Sequence, residues 1–313
     1  MGIRRTWTGS FFIFLLTLWL GSAAASADII EDVRTALDQN AFTQAQSQLT
    51  AYKAQHGVDS EYLEALSWMG RAALAQKQYD KALGYAKQTQ TLTTAQLKSR
   101  KLDSDEHLPI ALGAAYEVEA QAMAAQGQKP QAVALLKNAI RTYGDTSIRP
   151  RLQKNLNILT FVGQPAPPLQ TSESLDGPAT SLAKMKGSPV LLFFWAHWCV
   201  DCKGEAPVLA RLRSEFGAQG LLFLAPTQRY GYAARGEDAT PTQETAYIDK
   251  VWQQYYSGLK GVSVPVSKTN FDVYGASTTP TIVLVDRAGK IALYHPGAMP
   301  FADLRSAVEQ VIR

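Results

Sequence analysis

The chain holds two cysteines, Cys199 and Cys202, three positions apart in the run Trp195-Ala196-His197-Trp198-Cys199-Val200-Asp201-Cys202-Lys203. A pair so close closes too small a ring to constrain the unfolded chain much, so scaffolding is a poor use for it. Thiol–disulfide exchange suits it better. The apolar run Val190-Leu191-Leu192-Phe193-Phe194-Trp195 reads as a strand buried on both faces, and a helix is expected from Asp201 to Phe216. A strand feeding a helix in this way puts Cys199 at the helix N-terminus, where unpaired N–H groups and the dipole stabilise negative charge. That lowers a thiol pKa from its free value of about 8.5. Cys199 is therefore the expected exposed nucleophile. Cys202, one turn on, is placed to attack the mixed disulfide and release the reduced partner.

Other chemistries fit less well. Structural zinc needs four ligands, and there is no second cysteine pair; His56, His107, His197 and His295 are scattered. No metal is expected, and no cofactor beyond the redox-active disulfide of the pair itself. Two neighbours bear on the thiol. His197 is either an imidazolium that favours the thiolate or a plain exposed loop histidine. Asp201, of opposite sign, disfavours the thiolate and makes the pair more reducing.

The elements around the pair divide the chain. From Asp28 to about Thr160 the pattern is helical, and a turn recurs in it: Gln39-Asn40-Ala41, Gln76-Lys77-Gln78 and Gln126-Gly127-Gln128 each precede a helix with an alanine at the same offset, Ala45, Ala82 and Ala132. A polar insertion from Thr91 to Leu108 lengthens the second interval. Three prolines at 165, 167 and 168 then exclude helix. Beyond them come a second strand at Leu221–Leu224, strands Thr281–Val285 and Lys290–Tyr294 around an Asp286–Gly289 turn, and a final helix from Phe301. The expected division is a leader over 1–27, an all-α region over 28–160 and an α/β unit over 161–313.

Residues 1–27 read as a secretory signal: Arg4 and Arg5, a short apolar stretch from Phe11 to Leu20, and small residues ending in Ala25-Ser26-Ala27. That stretch is about half the ~20 apolar residues a spanning helix needs. The expected location is outside the cytoplasm, in the periplasm. Formal net charge is +4, or +2 without Arg4 and Arg5, too small to argue for nucleic acid or a membrane surface.

The run Trp195-Ala196-x-Trp198-Cys199-x-x-Cys202-Lys203, followed by Glu205 and Pro207, resembles the thioredoxin superfamily, in particular its exported TlpA/ResA-like branch. The similarity extends to Gly163-Gln164-Pro165-Ala166-Pro167, Gly187 to Trp195, Thr279-Pro280-Thr281 and Asp286 to Lys290, in that order across 162–313. The three helical turns resemble a degenerate tetratricopeptide repeat, with Gly70, Tyr79 and Ala82 nearest its consensus.

The resemblance implies a thioredoxin-like fold and disulfide exchange with exported proteins and a redox partner protein. It implies a cis bond before Pro280, and substrate contacts from Trp198, Thr279 and Pro280. Thioredoxin's buried aspartate is replaced here by Phe193, so Glu205 is the expected proton acceptor for Cys202. A second departure is the long polar stretch 227–260, whose Tyr230, Tyr232, Trp252, Tyr255 and Tyr256 are read as packing rather than as a groove lining. The expected direction is reduction. The alternatives are a disulfide oxidase, or a partner-binding protein in which the redox domain is auxiliary. Region 28–160 is expected to select the substrate protein, as a module separable from small-molecule disulfide exchange.

Overall fold

In a computed structural model the described residues are 28–313, so the expected leader over 1–27 lies outside them. Seven helices come first: α1 (Ile29–Asp38), α2 (Phe42–His56), α3 (Ser60–Ala75), α4 (Tyr79–Gln96), α5 (His107–Ala125), α6 (Lys129–Tyr143) and α7 (Arg149–Thr160). The three expected turns separate α1 from α2, α3 from α4 and α5 from α6. They are built alike. Asn40, Lys77 and Gly127 each take φ near +60 to +80°, and the next residue's N–H donates to a carbonyl five residues back (Ala41 to Ala36, Gln78 to Ala73, Gln128 to Met123). This is the Schellman closure of a helix C-terminus. The alanines at the shared offset, Ala45, Ala82 and Ala132, are fully buried, because only a small side chain lets the paired helices approach.

The polar Thr91–Leu108 insertion is in part an extension of helix α4 and in part folded onto the helical core. Helix α4 runs on to Gln96, Thr93 is buried, and a short 3-10 turn at Leu102–Ser104 tucks Leu102 into the helical core. The apolar members of the segment decide its placement and the charged ones stay outside.

The rest of the chain is β1 (Val190–Phe194), α8 (Val200–Phe216), β2 (Leu222–Leu224), α9 (Pro241–Tyr255), α10 (Lys268–Tyr274), β3 (Thr281–Val285), β4 (Ile291–Pro296) and α11 (Phe301–Ile312). The sheet order is β2-β1-β3-β4, with β1 parallel to β2 and antiparallel to β3, and β3 antiparallel to β4. Strand β1 alternates between two cores. Leu191 and Phe193, continued by Trp195, face the cluster holding Leu209, Trp252, Tyr256 and Leu304; Val190, Leu192 and Phe194 face Phe271, Tyr274 and Tyr294. Both faces are covered, which is why its sequence is continuously apolar. No helix among the described residues is long and apolar enough to cross a membrane.

Helix α7 joins the two regions. Phe161, just past its end, sits edge-on to Tyr274 and Tyr294 at 6.0 and 5.4 Å. Asn157 Nδ2 donates to the carbonyl of Val273 at 3.4 Å, and Lys154 Nζ lies 3.2 Å from Glu117 Oε2 and 3.4 Å from Thr278 Oγ1. Gly275 has φ +60°, and a Cβ on it would stand 2.4 Å from the backbone nitrogen of Lys154. Only glycine fits so close a crossing in that conformation. The helical region therefore rests on the segment that leads to Pro280. Gly275→Ala should cost about 3 kcal/mol, from overpacking together with left-handed strain. Urea unfolding followed by circular dichroism checks it; a loss under about 0.5 kcal/mol, the scale of an uninvolved surface substitution, would contradict the contact.

Candidate active site at the start of helix α8

Strand β1 ends at Phe194, and the next residue, Trp195, is anchored by three hydrogen bonds before the helix begins. The Trp195 N–H donates to the carbonyl of Pro226 at 3.1 Å and its indole Nε1 to that of Ala225 at 3.1 Å, while Thr227 Oγ1 donates to the Trp195 carbonyl at 2.9 Å. Cys199 is the N-cap of α8 with extended backbone, and the N–H of Cys202 donates to its Sγ at 3.0 Å. The sulfur thus replaces the oxygen that usually caps a helix. Cys199 and Cys202 are joined as a disulfide with Cα atoms 5.3 Å apart.

The expectation of an exposed Cys199 needs correction. It is 4% exposed in the disulfide, because its sulfur folds back over the helix start and lies 3.4 Å from the carbonyl oxygen of Thr279. The flanking side chains carry the exposure instead: Trp198 is 46% and Val200 78% exposed. The Thr279–Pro280 bond is cis, as the resemblance implies, and Pro280 is buried. Cys199, Cys202, Thr279 and Pro280 therefore come together where β1 ends and β3 begins, the two central strands, with Trp198 beside Cys199.

Glu205 lies on α8 but turns inward and is buried. Its Oε1 accepts the N–H of Met299 at 2.7 Å, and its Oε2 has no partner. Burial raises its pKa, with the Asp201 charge adding to the rise and the Met299 hydrogen bond and His295 opposing it. It shares the apolar surroundings of Cys202 and Ala206, with Phe193 on the same face of the sheet. A solvated helix-face charge is excluded.

His197 is neither of the two things expected of it. It is buried, and burial lowers its pKa, with Lys203 adding to the fall and Glu244 opposing it. It sits in a box formed by Tyr230, Tyr232 and Tyr247, at 5.7, 5.4 and 5.4 Å, where burial disfavours its charged form. Its Nε2 lies 3.2 Å from Oε1 of Glu244, a fully buried carboxylate 47 residues away that sequence reading missed. Segment 227–260, which supplies Glu244, holds helix α9, started by a capping box between Thr240 and Gln243 with Pro241 at the first position. Trp252 and Tyr256 are core residues, as the packing reading has it; Tyr255 is half-exposed, and the Lys203 ammonium sits 5.0 Å over its ring. Tyr230 is edge-on to Trp198 at 5.5 Å. Among the described residues no group of three or more His, Cys, Asp or Glu stands close enough to hold a metal ion.

The sequence profile of a thioredoxin-like domain matches residues 178–312. The C-terminal region is a thioredoxin-like domain. The chain is 32% identical over 143 residues to the thiol:disulfide interchange protein DsbE of Xylella fastidiosa, which spans 44% of this chain and 63% of that protein. It is 27% identical over 128 residues to the thiol-disulfide oxidoreductase ResA of Halalkalibacterium halodurans, spanning 41% of this chain and 64% of that one. The match thus covers less than two thirds of these relatives' own length. Among solved structures, the exposed lipoprotein thioredoxin Etrx1 of Streptococcus pneumoniae aligns at TM-score 0.36 and 26% identity, over 46% of this chain and 99% of that one. The helices of 28–160 lie outside the thioredoxin-like domain.

A raised carboxyl leaves a mark on stability. Because Glu205 is easier to ionise in the unfolded chain, the stability it contributes is full below the ordinary carboxylate pKa and is lost as pH rises through its folded value. Glu205→Gln keeps the acceptor for Met299 and should abolish that loss. Urea titrations of the oxidised protein between about pH 4 and 8 should show wild type falling relative to the variant; parallel curves would refute a buried ionisable Glu205.

Proposed function

We propose that this chain is a thiol–disulfide oxidoreductase that reduces disulfides of exported proteins through Cys199 and Cys202. The observation that carries the reading is the disulfide at the first turn of α8, facing the Thr279 carbonyl and the cis Pro280. The DsbE and ResA relatives carry names for the same chemistry.

The geometry supports a two-step exchange. In the reduced protein the Cys199 thiolate, capped by the Cys202 N–H and the helix start, attacks one sulfur of a partner disulfide, and the partner's other sulfur leaves as a thiolate. The Cys202 thiol then gives its proton to Glu205. The new thiolate attacks Cys199 Sγ, the partner's second thiolate leaves, and the 199–202 disulfide is formed. Two electrons pass to the partner. A carboxyl whose pKa is raised towards neutrality is suited to take and return that proton. The site needs no group beyond its own disulfide, and a dithiol partner protein restores the reduced pair. Trp198, exposed beside Cys199, and the Thr279–Pro280 backbone are the proposed substrate contacts. The helical region, a tetratricopeptide-like stack in this reading, orients the substrate protein.

Reduction is favoured over oxidation on electrostatic grounds. A strong oxidant needs a strongly stabilised reduced thiolate. Here Asp201, between the two cysteines, bears the opposite influence, and the one nearby histidine is buried, which disfavours its charged form. The leader-like 1–27 segment supports action in the periplasm.

The midpoint potential tests the direction. Equilibration with glutathione, followed by thiol alkylation and mass analysis, should give a value nearer about −270 mV than about −120 mV. A potential above about −180 mV would point to an oxidase instead. Insulin reduction tests the activity. Cys199→Ser should lower it to the uncatalysed rate, whereas retention of wild-type rate would contradict the role given to Cys199.

A further inference from the structure

The anomaly nearest the disulfide is a pair of ionisable side chains taken almost wholly out of water: His197 and Glu244 are each 1% exposed. Burying a carboxylate is costly unless its oxygens are satisfied, and these are. Oε1 accepts the Tyr230 N–H at 2.5 Å and faces His197 Nε2 at 3.2 Å; Oε2 accepts the Gly231 N–H at 2.8 Å. Each oxygen already takes a backbone donor, so the carboxylate is the acceptor throughout and the ring must supply the Nε2 hydrogen. His197 Nδ1 has no partner, and in the neutral ring that burial favours it is bare.

Glu244 therefore ties together three pieces of chain: the approach to Cys199, the 230–231 loop and α9. Tyr230 carries the link outward, since its ring is edge-on to both His197 and the exposed Trp198. The charged and titratable groups around the ring are Glu244 and Tyr247 from α9, Tyr230 and Tyr232 from the loop, and Lys203 from α8. None of them competes for Nε2.

We propose that Glu244 is a positioning residue of the exchange reaction, holding His197 as the Nε2–H tautomer and pinning Tyr230 under Trp198, so that segment 227–260 forms one wall of the site that receives a protein disulfide. Only a carboxylate can do this. An amide would present an N–H to at least one of the three donors, so Glu244→Gln is a disruptive change in spite of its shape. The account rests on the disulfide-exchange reading for its effect on rate. The state of the ring is read independently of it.

Nitrogen NMR of histidine-labelled wild type at pH 7 should show His197 protonated at Nε2 and bare at Nδ1; an imidazolium or an Nδ1–H ring would overturn the proposal whether or not the protein reduces disulfides. In Glu244→Gln the His197 signal should change, and KM for reduction of a protein disulfide should rise at least tenfold, with kcat less affected. Loss of the buried negative charge should also shift the thiol–disulfide equilibrium about tenfold towards the dithiol, or roughly 30 mV upward. Wild-type KM, potential and ring signal together in a folded Glu244→Gln would overturn it. Should that variant not fold, His197→Phe serves, since it keeps an aromatic ring in the box and leaves Glu244 its two backbone donors. At least a threefold rise in KM supports the proposal, and an unchanged KM overturns it.

Discussion

A helix must begin at a sulfur atom for this site to exist, and much of the C-terminal region serves that requirement. Cys199 can cap α8 only if β1 delivers the chain in extended conformation at the right height above the sheet. The anchors are polar bonds from Trp195 to the 225–227 segment, made inside an apolar core where they are strong. Opposite, the segment leading into β3 brings the Thr279 carbonyl, with Pro280 next to it, to the same sulfur. The proposed nucleophile is thus set between a helix start and a carbonyl.

The buried carboxyl groups share the region unequally. Glu205 has one oxygen satisfied and one bare, a state better suited to holding a proton than to a fixed charge. Glu244 has both oxygens saturated by donors and suits a permanent charge. The two sit on different helices on either side of the active-site loop. Their different environments suit one to the proposed proton transfer and the other to the proposed clamp, although both are glutamates in the same α/β unit.

What the sequence makes legible follows from range. The three helix-closing turns, the doubly buried strand and the capping cysteine are encoded within a few residues each, and they appear where local pattern places them. The cis bond at Pro280 is readable only through resemblance. Long-range placement escapes pattern reading. Nothing near His197 signals that its partner is Glu244, because the contact depends on how α9 packs. Gly275 looks like an ordinary turn glycine until α7 is seen against it. The Thr91–Leu108 segment shows the converse error, in which a polar average hides the few apolar residues that settle where it lies.

The account stands most directly on unequal cysteines, with Cys199 an activated thiolate and Cys202 a shielded thiol that reacts only within the mixed disulfide. Brief alkylation of the freshly reduced protein with iodoacetamide at pH 7, followed by peptide mass mapping, measures this. Cys199 should be modified at least about tenfold faster than Cys202, as expected for a helix-capping thiolate beside a buried thiol. Equal rates, or faster modification of Cys202, would contradict the assignment of nucleophile and resolving thiol.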